Sequence, residues 1–317
     1  MQGLPRLLLQ RILWSVLVLW LVSVLIFFAT QMLPGDAAQA ILGIKATPES
    51  LLELRQELGL YGSAPEQYFR WMSSALLLDF GTSLSNSIPV STLLLPRIAS
   101  SLSLMAVAAA IGVPLSLLIG AISGYRRDGA FDHVVSLFTL VLSALPVFVV
   151  GSVLVLAFST GSMNVLPAIS PERLGWGNVP LWILPSVTLA SAIAPYIIRM
   201  MRATMIEILE SEYVTYARLQ GASSRSILLR HALPNTIGPI AQVTALQLAY
   251  LASGAVVVEY LFAYPGVGSA LVDAVNNRDL PVVQATCLFI AAFYVLVNFM
   301  ADTATIMATP RIRIRGA

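Results

Sequence analysis

The apolar positions of this chain fall into six long uncharged runs, at 12–32, 98–124, 134–158, 179–198, 235–258 and 280–301. Each reaches the ~20 residues that a helix needs to cross the hydrocarbon core of a bilayer. Inside lipid the backbone must satisfy its own hydrogen bonds, so such runs read as helices. The pattern predicts an all-α, polytopic membrane protein with six transmembrane helices. Pro114, Pro146, Pro185, Pro195 and Pro239 interrupt the runs. Prolines are tolerated there when neighbouring helices and hydroxyl side chains take up the freed carbonyls, so the spans are expected to form one bundle. Gly120 and Gly124 read GxxxG, a pattern for close helix packing.

Orientation follows the distribution of Arg and Lys over short loops. With the N-terminus in the cytoplasm, the inner segments hold Arg6, Arg11, Arg126, Arg127, Arg199, Arg202, Arg218, Arg225, Arg230, Arg311, Arg313 and Arg315. The outer segments keep Lys45, Arg55, Arg70, Arg97, Arg173 and Arg278, and four of these lie in one long loop. Both termini are therefore expected to be cytoplasmic. Arg6, Arg11 and the Ala38-Gln39-Ala40 triplet mimic a cleaved signal peptide. The first run exceeds the roughly 7–15 apolar residues of a signal core, so a retained helix is expected. The organisation reads as a cytoplasmic N-terminus (1–11), a first span (12–32), an outer loop with short helices (33–97), and a membrane core (98–317) containing a cytoplasmic loop (199–234).

Composition sharpens this picture by exclusion. The chain has 317 residues, 57% hydrophobic and 11% charged, against about 45–50% and 25% for a soluble domain. A net charge of +2 is too small for a nucleic-acid footprint. The single cysteine, Cys287, reads as a core residue and allows no disulfide within the chain. A P-loop requires Gly-Lys-Ser/Thr, and the single lysine, Lys45, stands between Ile44 and Ala46. Energy from ATP would have to enter through a partner.

The two long loops carry the informative polar patterns. In the outer one, Thr47 and Pro48 read as a helix start, Leu51, Leu54 and Leu58 as its apolar face, and Gly59 as its stop. A second helix opens at Pro65 and spaces Tyr68, Phe69, Trp71, Met72 and Leu76 along it. It reads either as a cap packed on the bilayer or bundle, or as a platform for an external partner. In the cytoplasmic loop, Ser211 is placed to cap a helix that begins with Glu212, an acid suited to the positive helix end. Tyr213, Tyr216, Ala217 and Gln220 share one face, and Gly221 stops the helix. Ser223 or Ser224 then starts a second helix with Arg225, Ile227, Leu228, Arg230 and His231, before Pro234 turns the chain into the next span. A helix this short is marginal in water and persists only when packed. Its face suits either a protein groove or the lipid headgroups.

The run Glu212-Tyr213-Val214-Thr215-Tyr216-Ala217-Arg218-Leu219-Gln220-Gly221, followed by His231-Ala232-Leu233-Pro234-Asn235, resembles the cytoplasmic-loop signature of ABC importer permeases. In wording it is most similar to the first-permease subunit of the dipeptide, oligopeptide and nickel family. Leu33-Pro34-Gly35-Asp36, Asp79-Phe80-Gly81-Thr82-Ser83-Leu84, the stretch from Glu259 through Tyr264-Pro265-Gly266-Val267-Gly268, Arg278-Asp279-Leu280-Pro281, and the tail Pro310-Arg311-Ile312-Arg313 extend the likeness in order along the chain. One departure stands out. The general signature carries Glu-Ala-Ala where this chain has Thr215, Tyr216 and Ala217; Ala217, Gly221, Leu233 and Pro234 keep the general form.

The resemblance implies a type I importer permease fold in a bacterial inner membrane. It also implies a coupling helix that contacts an ATPase subunit through Glu212, Tyr213, Ala217, Arg218, Gly221, His231 and Pro234, with small residues letting it seat deeply. Implied partners are a second homologous permease, two ATPase subunits that bind ATP and Mg, and an external solute-binding protein. No cofactor is expected on this chain. Glu259, with Tyr264, Pro265 and Gly266, reads as a gate or docking element or as a helix-end anchor. Asp302, four residues after Asn298, reads as a partner for nearby arginines. Asp132 and His133 read as an ion-pair cluster with Arg126 and Arg127 at the cytoplasmic edge. Candidates to line a pathway are Ser143, Thr188, Ser191, Tyr196 and Gln247. The cargo implied first is peptides, then nickel chelates, glutathione or opine-like compounds.

Rival classes fit less well. Gly221-Ala222-Ser223-Ser224-Arg225 lacks the Gly-x-Ser-x-Gly of a serine hydrolase. Two histidines far apart in sequence, His133 and His231, make a poor metal centre. A self-sufficient channel or secondary transporter often buries ionisable groups mid-span, and none of the six runs has one.

Overall fold

The computed structural model describes residues 3–31, 47, 49, 63–160, 165–171 and 176–308, with the side chains of 3–8, 176, 301–302 and 304–308 outside that description. The helix expected at 47–59, the side chain of Asp302 and the tail at 310–313 therefore fall outside the described residues. Ten helices organise the remainder: α1 (Gly3–Gln31), α2 (Ala64–Leu76), α3 (Val90–Tyr125), α4 (Ala130–Ala144), α5 (Val147–Val155), α6 (Val179–Leu209), α7 (Glu212–Leu219), α8 (Leu233–Leu261), α9 (Val267–Asn276) and α10 (Leu280–Ala308).

Five continuous stretches are long and apolar enough to cross a membrane: Leu9–Gln31, Val90–Tyr125, Val179–Leu209, Ser224–Leu261 and Leu280–Met300. The expected third span is broken. Its halves, Ala130–Ala144 and Val147–Thr160, meet at 107°. Pro146 causes the break, because the residue before a proline is pushed out of the helical region, and Leu145 has φ −90° and ψ 130°. The other boundaries differ in one direction. α6 runs eleven residues past 198, and α3 starts eight residues before 98. Hydropathy marks where lipid ends, whereas these helices continue into water.

The core forms where α3, α6 and α8 meet, around Leu104, Leu189, Ile193, Ile197, Leu251 and Val258. Small residues on α3 allow that approach. A Cβ on Gly120 would come within 2.6 Å of the Ile198 carbonyl oxygen, and one on Gly124 within 2.8 Å of the Arg202 carbonyl oxygen. The GxxxG pair is thus the seam between α3 and α6. Pro185 removes the N–H that would bond the Leu181 carbonyl, and the Ser170 hydroxyl donates to that carbonyl instead. Thr188 and Ser191 donate to their own helix, at Leu184 O (2.7 Å) and Thr188 O (2.6 Å). Thr188 is buried in the core rather than set on an open face. Gln247 is partly buried, its Oε1 unpartnered.

α1 lies against α10, where Gln284 Nε2 donates to Thr30 Oγ1 at 2.8 Å. α2 caps α1: Tyr68 is buried on Phe27 with ring centroids 5.5 Å apart, and its hydroxyl pairs with Ser23 at 2.9 Å. Phe69, Leu76, Leu77 and Leu78 on and after α2 remain exposed.

Candidate functional site

Two polar constellations stand at opposite ends of the bundle. At the arginine-rich end expected to face the cytoplasm, α6 ends at Leu209 and α7 begins at Glu212. Ser211 occupies the N-cap position, but its hydroxyl donates back to Ile208 O at 2.5 Å and caps nothing. The end of α7 is specified more tightly. Gly221 N–H donates to Arg218 O (3.0 Å) and Ala222 N–H to Ala217 O (3.1 Å), the paired bonds of a Schellman stop. That stop needs a left-handed residue, and Gly221 has φ +84°. A Cβ there would meet nothing within 4 Å, so the requirement is conformational, not one of space.

The faces of α7 differ from the expected arrangement. Val214 and Ala217 are buried against the protein's own chain. Ala217 therefore does not stand on the outward face with Tyr216, and its small size serves internal packing. The outward face consists of Tyr216 (63% exposed) and Leu219 (82% exposed), flanked by the exposed Glu212 and Arg218. Tyr213 is committed to a brace. Its hydroxyl donates to His231 O at 3.3 Å, while Asn235 Nδ2 donates to His231 O at 2.7 Å and to the Tyr213 oxygen at 3.2 Å. His231 thus takes part through its backbone carbonyl.

The expected second helix is not separate. Ser223 caps a single turn, its oxygen accepting from Ser226 N at 3.3 Å. That turn passes through a π-helical stretch, Ile227–Ala232, straight into α8. Pro234 sits in the first turn of α8 and does not redirect the chain. The wider π register shifts the bonding to i−5, with Leu233 N–H donating to Leu228 O, and so accommodates a residue that has no N–H to give.

The same arginine-rich edge is pinned by Asp132, buried at the start of α4. Its partner is Arg202 of α6, which donates through Nε at 2.5 Å and Nη2 at 2.6 Å; Ser123 adds a bond at 2.5 Å. Arg126 and Arg127 do not fill this role, and Arg127 instead pairs with Glu210 and Asp128.

At the other end, Glu259 is 1% exposed. Its Oε1 accepts from Ser101 Oγ at 2.5 Å, and its Oε2 from Gly268 N–H at 2.6 Å. Ser101 Oγ in turn accepts from Val267 N–H at 2.8 Å. The carboxylate therefore faces the N-terminus of α9, where unpaired N–H groups and the helix dipole favour an anion. Gly268 leaves no room for a side chain, since a Cβ would come within 2.9 Å of that carboxylate. Tyr264 is buried, its hydroxyl donating to Ser100 O at 3.0 Å, and burial pushes its phenol up to about 12. Glu259, Tyr264 and Gly266 are buried, and Pro265 is partly exposed. Their geometry is that of an anchor joining α3, α8 and α9.

A second anchor lies close in sequence. Asp279, at the start of α10, accepts from the hydroxyls of Ser83 and Ser85, the latter at 2.8 Å, and from Leu84 N–H at 3.1 Å. Burial raises its carboxyl, but these bonds outweigh burial and hold it below the usual range. The fragments at 79–84 and 278–281 are two halves of one contact. The sequence could not reveal the partners Ser101, Ser83 and Arg202, because they lie 158, 196 and 70 residues from the acids they bind.

Comparisons with known proteins agree along nearly the whole chain. The model of the family described as "Binding-protein-dependent transport system inner membrane component" matches residues 112–314, and its N-terminal counterpart matches 4–105. A protein of Sinorhizobium fredii named as a probable peptide ABC transporter permease, y4tP, is 34% identical over 308 residues, covering 96% of this chain and 98% of that one. The glutathione transport system permease GsiC of Escherichia coli is 32% identical over 306 residues, covering 96% and 98%. Among solved structures, the inward-facing MetNI methionine ABC transporter superposes with a TM-score of 0.54 at 16% identity, over 68% of this chain and 96% of that one, which shows the shared fold. With both family models matched and two near-full-length relatives above 30% identity, the chain belongs to the inner-membrane permease components of binding-protein-dependent ABC transport systems.

Proposed function

We propose that this permease provides half of an import pathway for peptides or a related small solute, and that α7 is its contact with an ATPase subunit. The observation that carries this reading is the outward face of α7. Tyr216 and Leu219 are large, apolar and open to water on a helix of eight residues whose inner face is clamped by Val214 and Ala217. A surface so placed on the cytoplasmic side suits burial in a protein cleft, with Glu212 and Arg218 as its polar rim. Gly221 and the Tyr213–His231–Asn235 brace, followed by Pro234, fix how the helix is presented rather than touching the partner. ATP and Mg belong to two partner ATPase subunits. A second homologous permease and an external solute-binding protein complete the assembly. The cargo class rests on the relatives, one named for peptides and one for glutathione.

The test is Leu219→Glu in the intact importer. An apolar anchor removed from an interface centre costs about 2 kcal/mol, roughly thirtyfold in affinity. The variant should insert normally yet lose co-purification of the ATPase subunits and lose uptake. Unchanged co-purification and uptake would remove α7 from the contact. A chain that purifies alone as an active homo-oligomer would favour a channel or secondary transporter.

A further inference from the structure

A groove of about 1120 Å³ runs along the cytoplasmic half of the bundle between α3 and α8. Its walls are almost wholly apolar, with Leu117, Ile122, Ile237 and Leu248 among them. Among the described residues lining it, Arg126 is the charged one, at the cytoplasmic mouth beside Tyr125. The arginines around it are engaged: Arg127 with Glu210 and Asp128, and Arg202 with Asp132. No described carboxylate pairs with Arg126, which is exposed.

The dimensions suit one class of molecule. From Arg126 back to Val113 a helix rises about 20 Å, comparable to one leaflet of a hydrocarbon core about 30 Å thick. The volume exceeds the roughly 300–1,000 Å³ of pockets for small polar-tipped ligands. A cation at the water-facing end of a long dry trough complements an amphiphile with an anionic head and an apolar tail. We infer that the groove holds an anionic phospholipid of the inner leaflet, its phosphate on Arg126 and its acyl chains between α3 and α8. This rests on the cytoplasmic placement of Arg126 and is independent of the role assigned to α7. A bound lipid there would fill the space that separates α3 from α8 and would travel with the transporter through purification.

The experiment uses the intact complex, purified in mild detergent and titrated with phosphatidylglycerol or with phosphatidylcholine of the same acyl chains, bound lipid being counted by native mass spectrometry. A headgroup on one arginine is worth about fivefold in affinity, so wild type should prefer phosphatidylglycerol by about that factor. Arg126→Gln should bring the preference to unity, and Ala245→Trp, which fills the groove, should lower occupancy by both lipids. Melting curves and subunit co-purification identify a misfolded Ala245→Trp, in which case Ala241→Leu serves instead. Equal binding of both lipids by wild type, or an undiminished preference in Arg126→Gln, would overturn the assignment. So would efficient cross-linking of Ala245→Cys to a co-purifying permease, since the groove would then be a protein interface.

Discussion

At the scale of single residues, two buried carboxylates do the joining that hydrophobic burial cannot direct. Glu259 accepts from Ser101 and from the amide of Gly268, and both donors would be left unpaired without it. A buried donor without a partner costs about 1–3 kcal/mol. Glu259→Ala should therefore destabilise the protein by about 2–6 kcal/mol, read as a lower melting temperature in detergent, with Glu259→Gln falling between. A Gln variant as damaging as Ala would mean that the charge, not the acceptor, is what α9 requires. Asp279 carries a pH signature. Its folded carboxyl is held below the ordinary value of about 3.9, so its contribution is present in full above that value and is lost as pH falls through the lower folded one. The melting-temperature gap between wild type and Asp279→Asn should be constant near neutrality and close on acidification below about pH 4. A gap that persists at low pH would assign the effect to shape alone.

At the scale of helices, the glycines separate into two kinds. Gly120 is a matter of space: its missing Cβ admits the backbone of α6. Gly120→Leu should cost about 1–3 kcal/mol or more by overpacking and should worsen with side-chain size. Gly221 is a matter of backbone shape, with open space around it. There the ranking should be Asn better than Ala and Ala better than Val, because asparagine tolerates the left-handed region and β-branched residues do not. ATPase coupling measured across that series checks the order, and a ranking by volume would contradict it. Five spans are legible because lipid demands apolar length, and the GxxxG seam because glycine has few other uses mid-helix. The bend at Pro146 was not legible, since Pro185 and Pro195 sit within an unbroken α6. What distinguishes Pro185 is Ser170, fifteen residues earlier, which takes up its freed carbonyl. The outward face of α7 was misplaced for a related reason: periodicity groups residues by side but does not say which side meets the bundle.

At the scale of the whole molecule, the bundle is closed at its cytoplasmic edge by a contact between helices far apart in sequence. Arg202 grips Asp132 with two nitrogens, and the Ser123 hydroxyl of α3 and the Asp128 N–H add their own bonds. Asp132 is buried but the Arg202 side chain is 29% exposed, so removing one partner costs less than it would in a fully buried pair, about 1–3 kcal/mol. Asp132→Asn should loosen the α3–α4–α6 corner by an amount of that order, read by melting and by protease access, and the Asp132→Arg, Arg202→Asp exchange should restore part of it. If the exchange is no better than either single change, the pair acts through its surroundings and not through mutual attraction.

The helix from Ser224 to Leu261 has 38 residues, about 57 Å at 1.5 Å each, and so exceeds the roughly 40–45 Å of a bilayer with its headgroups. It is a single strut with one foot among the bonds that hold α7 and the other carrying the carboxylate that seats α9. Its soft points are the π-helical stretch and Gly238-Pro239. On the proposed contact of α7 with an ATPase subunit, a push at that end would reach the other through this one helix. Hardening or loosening either soft point is then expected to retune the transporter without touching cargo or nucleotide.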